Sequence, residues 1–479
     1  MKKLLVILAI LVGLAVVAVV ALLLLVDVNA YKPRIETAAG DALGMELRIN
    51  GKASLRLVPS VGIALADVHL RNRGTELVKL GSLRIGVKLV PLLSKKLQVT
   101  ELVLEKPDVL IEKGKDGRFN FETPPKAPRP APSGAETAAL LVVGDSAVRG
   151  GHFLYVDRKT GSRTELEGID LKVRDLSFGG KPGAGIMKTL SFTGDLNVAR
   201  VRAGNVAVSD LRAAVQGADG VFHVRPLTMR MFGGSGKGEI AADLSGEATA
   251  VKVRYTLSGF RAEDALSTVS KKNTVSGPLT ISPDLTFKGK DADAMVRSMS
   301  GTVSLQGENL AVQGMDIDEV LAKISESQKV GIADVGAFVL AGPLGTLATK
   351  GFDVGGVYTS TRGGETKITR LVSDWTISGG VADARDVAFA TRKNRIALKG
   401  RLDIAGGRFV GVTVASLDET GCVKLRQGIS GPFKDPTLDK VSTLQSAVAP
   451  LLGLFAETKK FVTRGECEPF YTGTVAHPK

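Results

Sequence analysis

Histidines, cysteines, carboxylates and one glycine-rich run are the residues of this chain that could do chemistry, and their spacing assigns none of them to catalysis. The four histidines, His69, His152, His223 and His477, lie far apart in sequence. None stands at metal-ligand spacing from cysteines or carboxylates. The run "FGGSGKGE" (residues 232–239) resembles a phosphate-binding loop, yet its glycine spacing is wrong and it joins two apparent strands, so it reads as a β-turn. The sequence contains no nucleophile elbow GxSxG, no HExxH pair and no P-loop GxxxxGK[ST]. Asp374 and Asp386 read as isolated residues on polar strand faces. The expectation is a chain that is not an enzyme, with no catalytic residues, no metal and no cofactor.

The elements around these residues point to an exported β protein. Met1, Lys2 and Lys3 form a short cytoplasmic N-terminus (1–3), followed by an uncharged apolar run at 4–26. As a helix that run spans about 34 Å, enough to cross a ~30 Å hydrocarbon core. A cleavable signal peptide has a shorter apolar core, although residues 28–30 could mimic a cleavage site. The expectation is a retained single-pass anchor with a cytoplasmic N-terminus and the bulk of the chain exported. Cysteine usage agrees, since Cys422 and Cys467 are the only two. In an exported chain the pair reads as one disulfide. Closing such a loop stabilises by roughly 4 kcal/mol in the chain-entropy model. The rival reading is two unrelated buried thiols.

Strands dominate the body of the chain. In "TAVKVRYTLSG" (residues 249–259) Val251, Val253, Tyr255 and Leu257 point one way, and Lys252, Arg254, Thr256 and Ser258 the other. The same alternation marks Leu285 and Phe287. It is cleanest in "RIALKGRLDI", where Ile396, Leu398, Leu402 and Ile404 share a face opposite Arg395, Lys399, Arg401 and Asp403. Glycine, 56 of 479 residues, suits bends and bulges of curved sheets better than helices. Helices are few: one near Pro33 that stops at Gly44, short ones in "RAEDALSTVSKK", "DADAMVRSMSG" and "MDIDEVLAKISES", and an amphipathic C-terminal helix from Pro436 to about Phe461. Greasy strand faces therefore outnumber their covers. Either sheets face each other, or one long sheet curls so that its inner face lines a groove.

The fold class is accordingly mainly β: a transmembrane helix, then antiparallel sheet, in facing sandwiches or in one elongated curl, with a few short helices. The organisation reads as an N-terminal β region (27–122), a Pro-rich linker or loop (123–136), a repetitive β body (137–421) and a C-terminal region (422–479). Net charge is +14, spread along the chain without a dense basic block. It fits Lys-studded strand surfaces or contact with anionic lipid headgroups, and no nucleic-acid reading module is recognisable.

Four stretches carry a family resemblance. They are "YKPRIETAAGDALGMELRINGKASLRLVPSVGIALADVHLRN" behind the apolar run, "LVPLLSKKLQVTELVLEKPDVLIEKGKDGRFNFE", "LTFKGKDADAMVRSMSGTVSLQGENLAVQGMDIDEVL", and "GCVKLRQGISGPFKDPTL" followed by "CEPFYTGTV". In this order they resemble the AsmA family. The resemblance implies an inner-membrane-anchored periplasmic protein of outer-membrane biogenesis and lipid homeostasis. It also implies a repeating β-groove, akin to bridge-like lipid transfer proteins, with acyl chains in an apolar trough. The groove candidates are then Val251, Val253, Tyr255, Leu257, Leu285, Phe287, Ile396, Leu398, Leu402 and Ile404. The implied partners are phospholipids or other envelope lipids, the inner membrane through residues 4–26, and outer-membrane or periplasmic envelope proteins. The rival function is a non-enzymatic assembly or scaffold factor for outer-membrane proteins or envelope machinery.

Overall fold

The computed structural model describes residues 28–56, 61–88, 99–122, 141–178, 186–268, 275–314, 316–319, 321–322, 364–439, 442–443 and 467–479. Strands take up 66% of them, and the helices among them are short. The expected anchor (4–26) and the Pro-rich stretch (123–136) lie outside the described residues. Among the described residues no helix is long and apolar enough to cross a membrane. The chain divides into two compact units, residues 1–222 and 223–479.

In the first unit a 3-10 turn (Val28–Tyr31) leads into helix α1 (Lys32–Leu43). Pro33 occupies its first turn, and Gly44, at φ 68°, supplies the left-handed C-terminal cap, as the sequence predicts. Strands β1 (Glu46–Ile49) and β2 (Ala53–Arg56) both pair with β3 (Val61–Asn72), which pairs with β4 (Thr75–Val87). Strands β5 (Val99–Glu105) and β6 (Asp108–Lys113) lie in line along β4, broken at Lys106 and Pro107. Next come β7 (Leu141–Asp157), β8 (Arg163–Phe178), helix α2 (Ile186–Thr189), β9 (Ser191–Ala203) and β10 (Val206–Ala218), each strand antiparallel to the one before it from β7 onward.

The sheet is mixed, which corrects the expectation of a purely antiparallel one. Both β5 and β6 run parallel to β7, with Leu104 opposite Val148 and Leu110 opposite Leu154. Parallel neighbours need a long return connection, and residues 114–140, which contain the Pro-rich stretch, provide it.

The division falls within β11 (Val221–Met231). The second unit continues with β12 (Gly234–Asp243), β13 (Thr249–Arg261), helix α3 (Ala262–Ser267), β14 (Val275–Ser276), β15 (Pro278–Gly289), helix α4 (Ala292–Ser298) and β16 (Ser300–Gln313). After residue 363 come β17 (Glu365–Ser378), β18 (Val381–Ala390), β19 (Arg395–Asp403), β20 (Arg408–Leu417) and β21 (Val423–Pro432). From β12 to β21 the pairing is antiparallel in chain order, with the two-residue β14 joining β16 beside β15. Helix α4 starts where Asp291 accepts a hydrogen bond from the Ala294 amide (2.7 Å).

The C-terminal helix does not begin at Pro436. Instead β22 (Thr437–Leu438) and β23 (Ser442–Thr443) pair with β21, so its edge recruits these short β-branched and polar segments as ladder partners. The remainder of that expected helix lies outside the described residues.

Long strands bend because residues with positive φ interrupt them: Asp67 in β3, Gly150 in β7, Gly168 in β8, Asp210 in β10, Gly259 in β13, Asn309 in β16 and Gly411 in β20. Each adds a local kink and twist to a strand that would otherwise stay flat. The register shifts between Val148 and Gly151, and between Leu257 and Phe260, are these bulges in the ladder.

Candidate functional site

The side chains predicted to share a face do share one. On β13, Val251, Val253 and Tyr255 are half-buried and Leu257 is buried, while Lys252, Arg254, Thr256 and Ser258 are exposed. Val251 pairs with Phe287, and Val253 with Leu285, so the β13 and β15 candidates form one apolar patch. The glycine-rich run serves that patch. Phe232 and Gly233, both at positive φ, make the β-turn, and Gly236 and Gly238 lie beneath the Tyr255 ring. A side chain at Gly236 would collide with the Tyr255 hydroxyl. That hydroxyl is buried without a partner among the described residues, and burial pushes its phenol pKa up.

The β19 candidates sit deeper in the core that Leu257 also joins and against which Tyr255, Leu285 and Phe287 pack. Ile396 and Leu402 are 0% and 1% exposed, and Leu398 is buried beside them. They belong to a core that includes Trp375, Phe389 and Val414, with Leu321 and Phe433 packed in from outside the strands. Ile404 lies beyond β19 and is partly buried against the same core. Protein atoms, not an open groove, surround Ile396, Leu398 and Leu402.

The first unit carries an apolar face that the sequence candidates did not include. Three rows cross β7 to β10: Val148, Leu171, Leu196 and Ala213; then Gly151, Ile169, Val198 and Leu211; then Phe153, Leu166, Val201 and Val208. Most of these side chains are half-buried. The unit's hydrophobic cluster sits elsewhere, around Val28, Ile49, Leu65 and Val68, and among the described residues it takes in no member of β7–β10. The opposite face carries ion pairs such as Arg200–Glu167 (2.9 Å), Arg202–Glu167 (2.6 Å) and Arg174–Asp195 (2.9 Å). One face of these strands is therefore hydrocarbon and the other charged. An open hollow of about 500 Å³ beside α1 is lined instead by Glu36, Asp41, Arg48, Arg71 and Arg73, and is polar.

Asp374 and Asp386, read as isolated, stand directly opposite each other on β17 and β18. The Tyr471 hydroxyl, the Thr474 amide (3.0 Å) and the Thr474 hydroxyl (2.7 Å) all donate to Asp386. Asp374 keeps one buried oxygen without a donor. Burial, opposed by a Ser304 hydrogen bond and helped by the charge of Asp386, pushes its carboxyl above the usual range.

These contacts seat residues 467–479 on the outer face. Tyr471 and Val475 pack on Val372, Ala388, Ala397 and Ala415, and Arg395 donates to the Val475 and Asp418 carbonyls (3.2 and 2.9 Å). Small alanines let the tail backbone approach the sheet. The sulfurs of Cys422 and Cys467 meet at disulfide distance at the root of this tail, with Cα atoms 6.0 Å apart. Two histidines are also clamped: His69 between Glu76 (2.6 Å) and Asp67 (2.9 Å), and His152 between Asp108 (2.7 Å) and Glu165 (3.1 Å). Both bridge neighbouring strands, a structural role that spacing in sequence does not reveal.

The family model of the AsmA family matches residues 1–187 and 189–387. No curated protein and no solved structure matches the chain.

Proposed function

This chain belongs to the AsmA family, a family of envelope biogenesis and lipid transport, and on that premise we propose that it carries phospholipid acyl chains on its apolar strand faces. The observation that carries the reading is the half-exposed hydrocarbon face of β7–β10, backed by ion pairs on its other side, together with the Val251–Phe287 and Val253–Leu285 patch. Such a face in water costs about 25 cal/mol for each Å² of apolar surface. An acyl chain laid on it removes that cost and keeps its own CH₂ groups out of water, worth about 0.8 kcal/mol each. Transfer then needs no covalent step and no nucleotide. Residues 4–26 act as the inner-membrane anchor, the body lies in the periplasm, and lipid moves between inner and outer membrane.

Photo-crosslinking amino acids at Tyr255 and Leu171 test this in cells. Phospholipid adducts at both positions are expected. Adducts to proteins alone would point to the assembly-factor reading.

A further inference from the structure

One row of side chains crosses the second unit from open to sealed. Ile240, Val253 and Leu285 stand opposite one another on β12, β13 and β15 and are half-buried. Through Gly301 on β16 the row continues to Ile377, Ala382 and Leu402, which are 2%, 0% and 1% exposed. The step falls at Gly301, which has no side chain to continue the row and whose Cα faces the Asp284 carbonyl too closely for one to be added. Beyond it, Trp375 and Phe389 fill the face. The Trp375 indole donates to the Ser373 hydroxyl (2.8 Å), so its one polar group is satisfied inside the protein.

From this we infer that the ligand-accessible face of the second unit ends at β15, and that the protein core of β16–β21, which also takes in Leu257 and Phe260 of β13, forms a stop. The inference rests on the proposed lipid reading. Its content is a boundary: an acyl chain enters and leaves this unit sideways over β12–β15 and does not thread past Trp375. Interiors packed at crystal-like density admit no alkyl chain without displacing their own side chains. A sheet lined by lipid throughout would instead have half-exposed residues at Ile377, Phe389 and Ile396, where exposure is at most 2%.

Trp375 is the only tryptophan in the chain, so the unmodified protein carries its own probe. The full chain is mixed with micelles containing phosphatidylglycerol with dibrominated acyl chains, and with the same micelles lacking bromine. The expected wild-type emission is equal in the two, because bromine never reaches Trp375. A Val253→Trp variant that keeps Trp375 is expected to fall to about half its emission with brominated lipid, one of its two indoles lying against the acyl chain. Quenching of wild-type Trp375 to the same degree overturns the stop and leaves the lipid reading intact. No quenching in either protein overturns the lipid reading, and the boundary falls with it.

Discussion

Two carboxylates facing each other across a strand pair, Asp374 and Asp386, are an electrostatic cost to the fold. The tail settles Asp386 with three donors and leaves Asp374 with a raised pKa. A raised folded-state pKa means that the stability linked to Asp374 is fully present below its unfolded value near 3.8 and is lost as pH rises through the folded one. Asp374→Asn is therefore expected to raise thermal stability at neutral pH, by about 0.5 kcal/mol, with the gain vanishing in acid. Melting curves at pH 4 and pH 7.5 check this. His152 has the same sign. Its hydrogen bond to Asp108 raises its pKa above 6.5 against an opposing burial effect, with Glu165 adding to the rise. Cohesion of β6, β7 and β8 should thus weaken as pH climbs through that raised value, and His152→Gln should flatten the dependence. Amide exchange in Val143–Val156 reads it directly.

At the scale of elements, alternation made much of the sheet legible. The two-residue period in 249–259 and 395–404 places the right residues on the right face of β13 and β19. Period alone cannot say what covers a face, because a groove wall and a core wall carry the same side chains. Leu398 illustrates this: its pattern matches Val253, yet it is buried in protein. A charge there has no solvent and no partner, so Leu398→Asp is expected to cost more than about 4 kcal/mol and to deplete the folded protein. Val253→Asp, at a half-exposed site, should leave the fold and abundance near normal while abolishing lipid adducts. Quantitative blotting alongside crosslinking separates the two. The bulges at Asp67, Asp210 and Asn309 carry no glycine to announce them, and the parallel pairing of β5 and β6 depends on where a long connection returns. The outer-face role of residues 467–479 was equally hidden, since docking depends on alanines contributed by three strands. If the Cys422–Cys467 pair is oxidised in the working protein, replacing both with Ser should cost roughly 4 kcal/mol in the chain-entropy model and raise exchange at Ala388 and Ala397. Unchanged exchange would mean that Tyr471 and Arg395 hold the tail without it.

For the whole molecule, the two units share a design in which charge is spent on one strand face and hydrocarbon on the other. Arginines at 200, 202 and 254 answer neighbouring carboxylates and are tied into cross-strand ladders, whereas the +14 excess is what remains once cations and carboxylates cancel. The proposed lipid reading offers a reason for the half-buried hydrocarbon face of β7–β10, which among the described residues joins no hydrophobic cluster of its unit. The most direct measurement is lipid extraction and mass spectrometry on the purified full chain after exhaustive detergent exchange, beside an unrelated single-span membrane protein of similar size. At least one tightly held phospholipid per chain, lost when Leu171 and Val253 are both changed to Asp, is the expected result. Lipid content no greater than that of the unrelated protein would contradict the claim that acyl chains cover these faces.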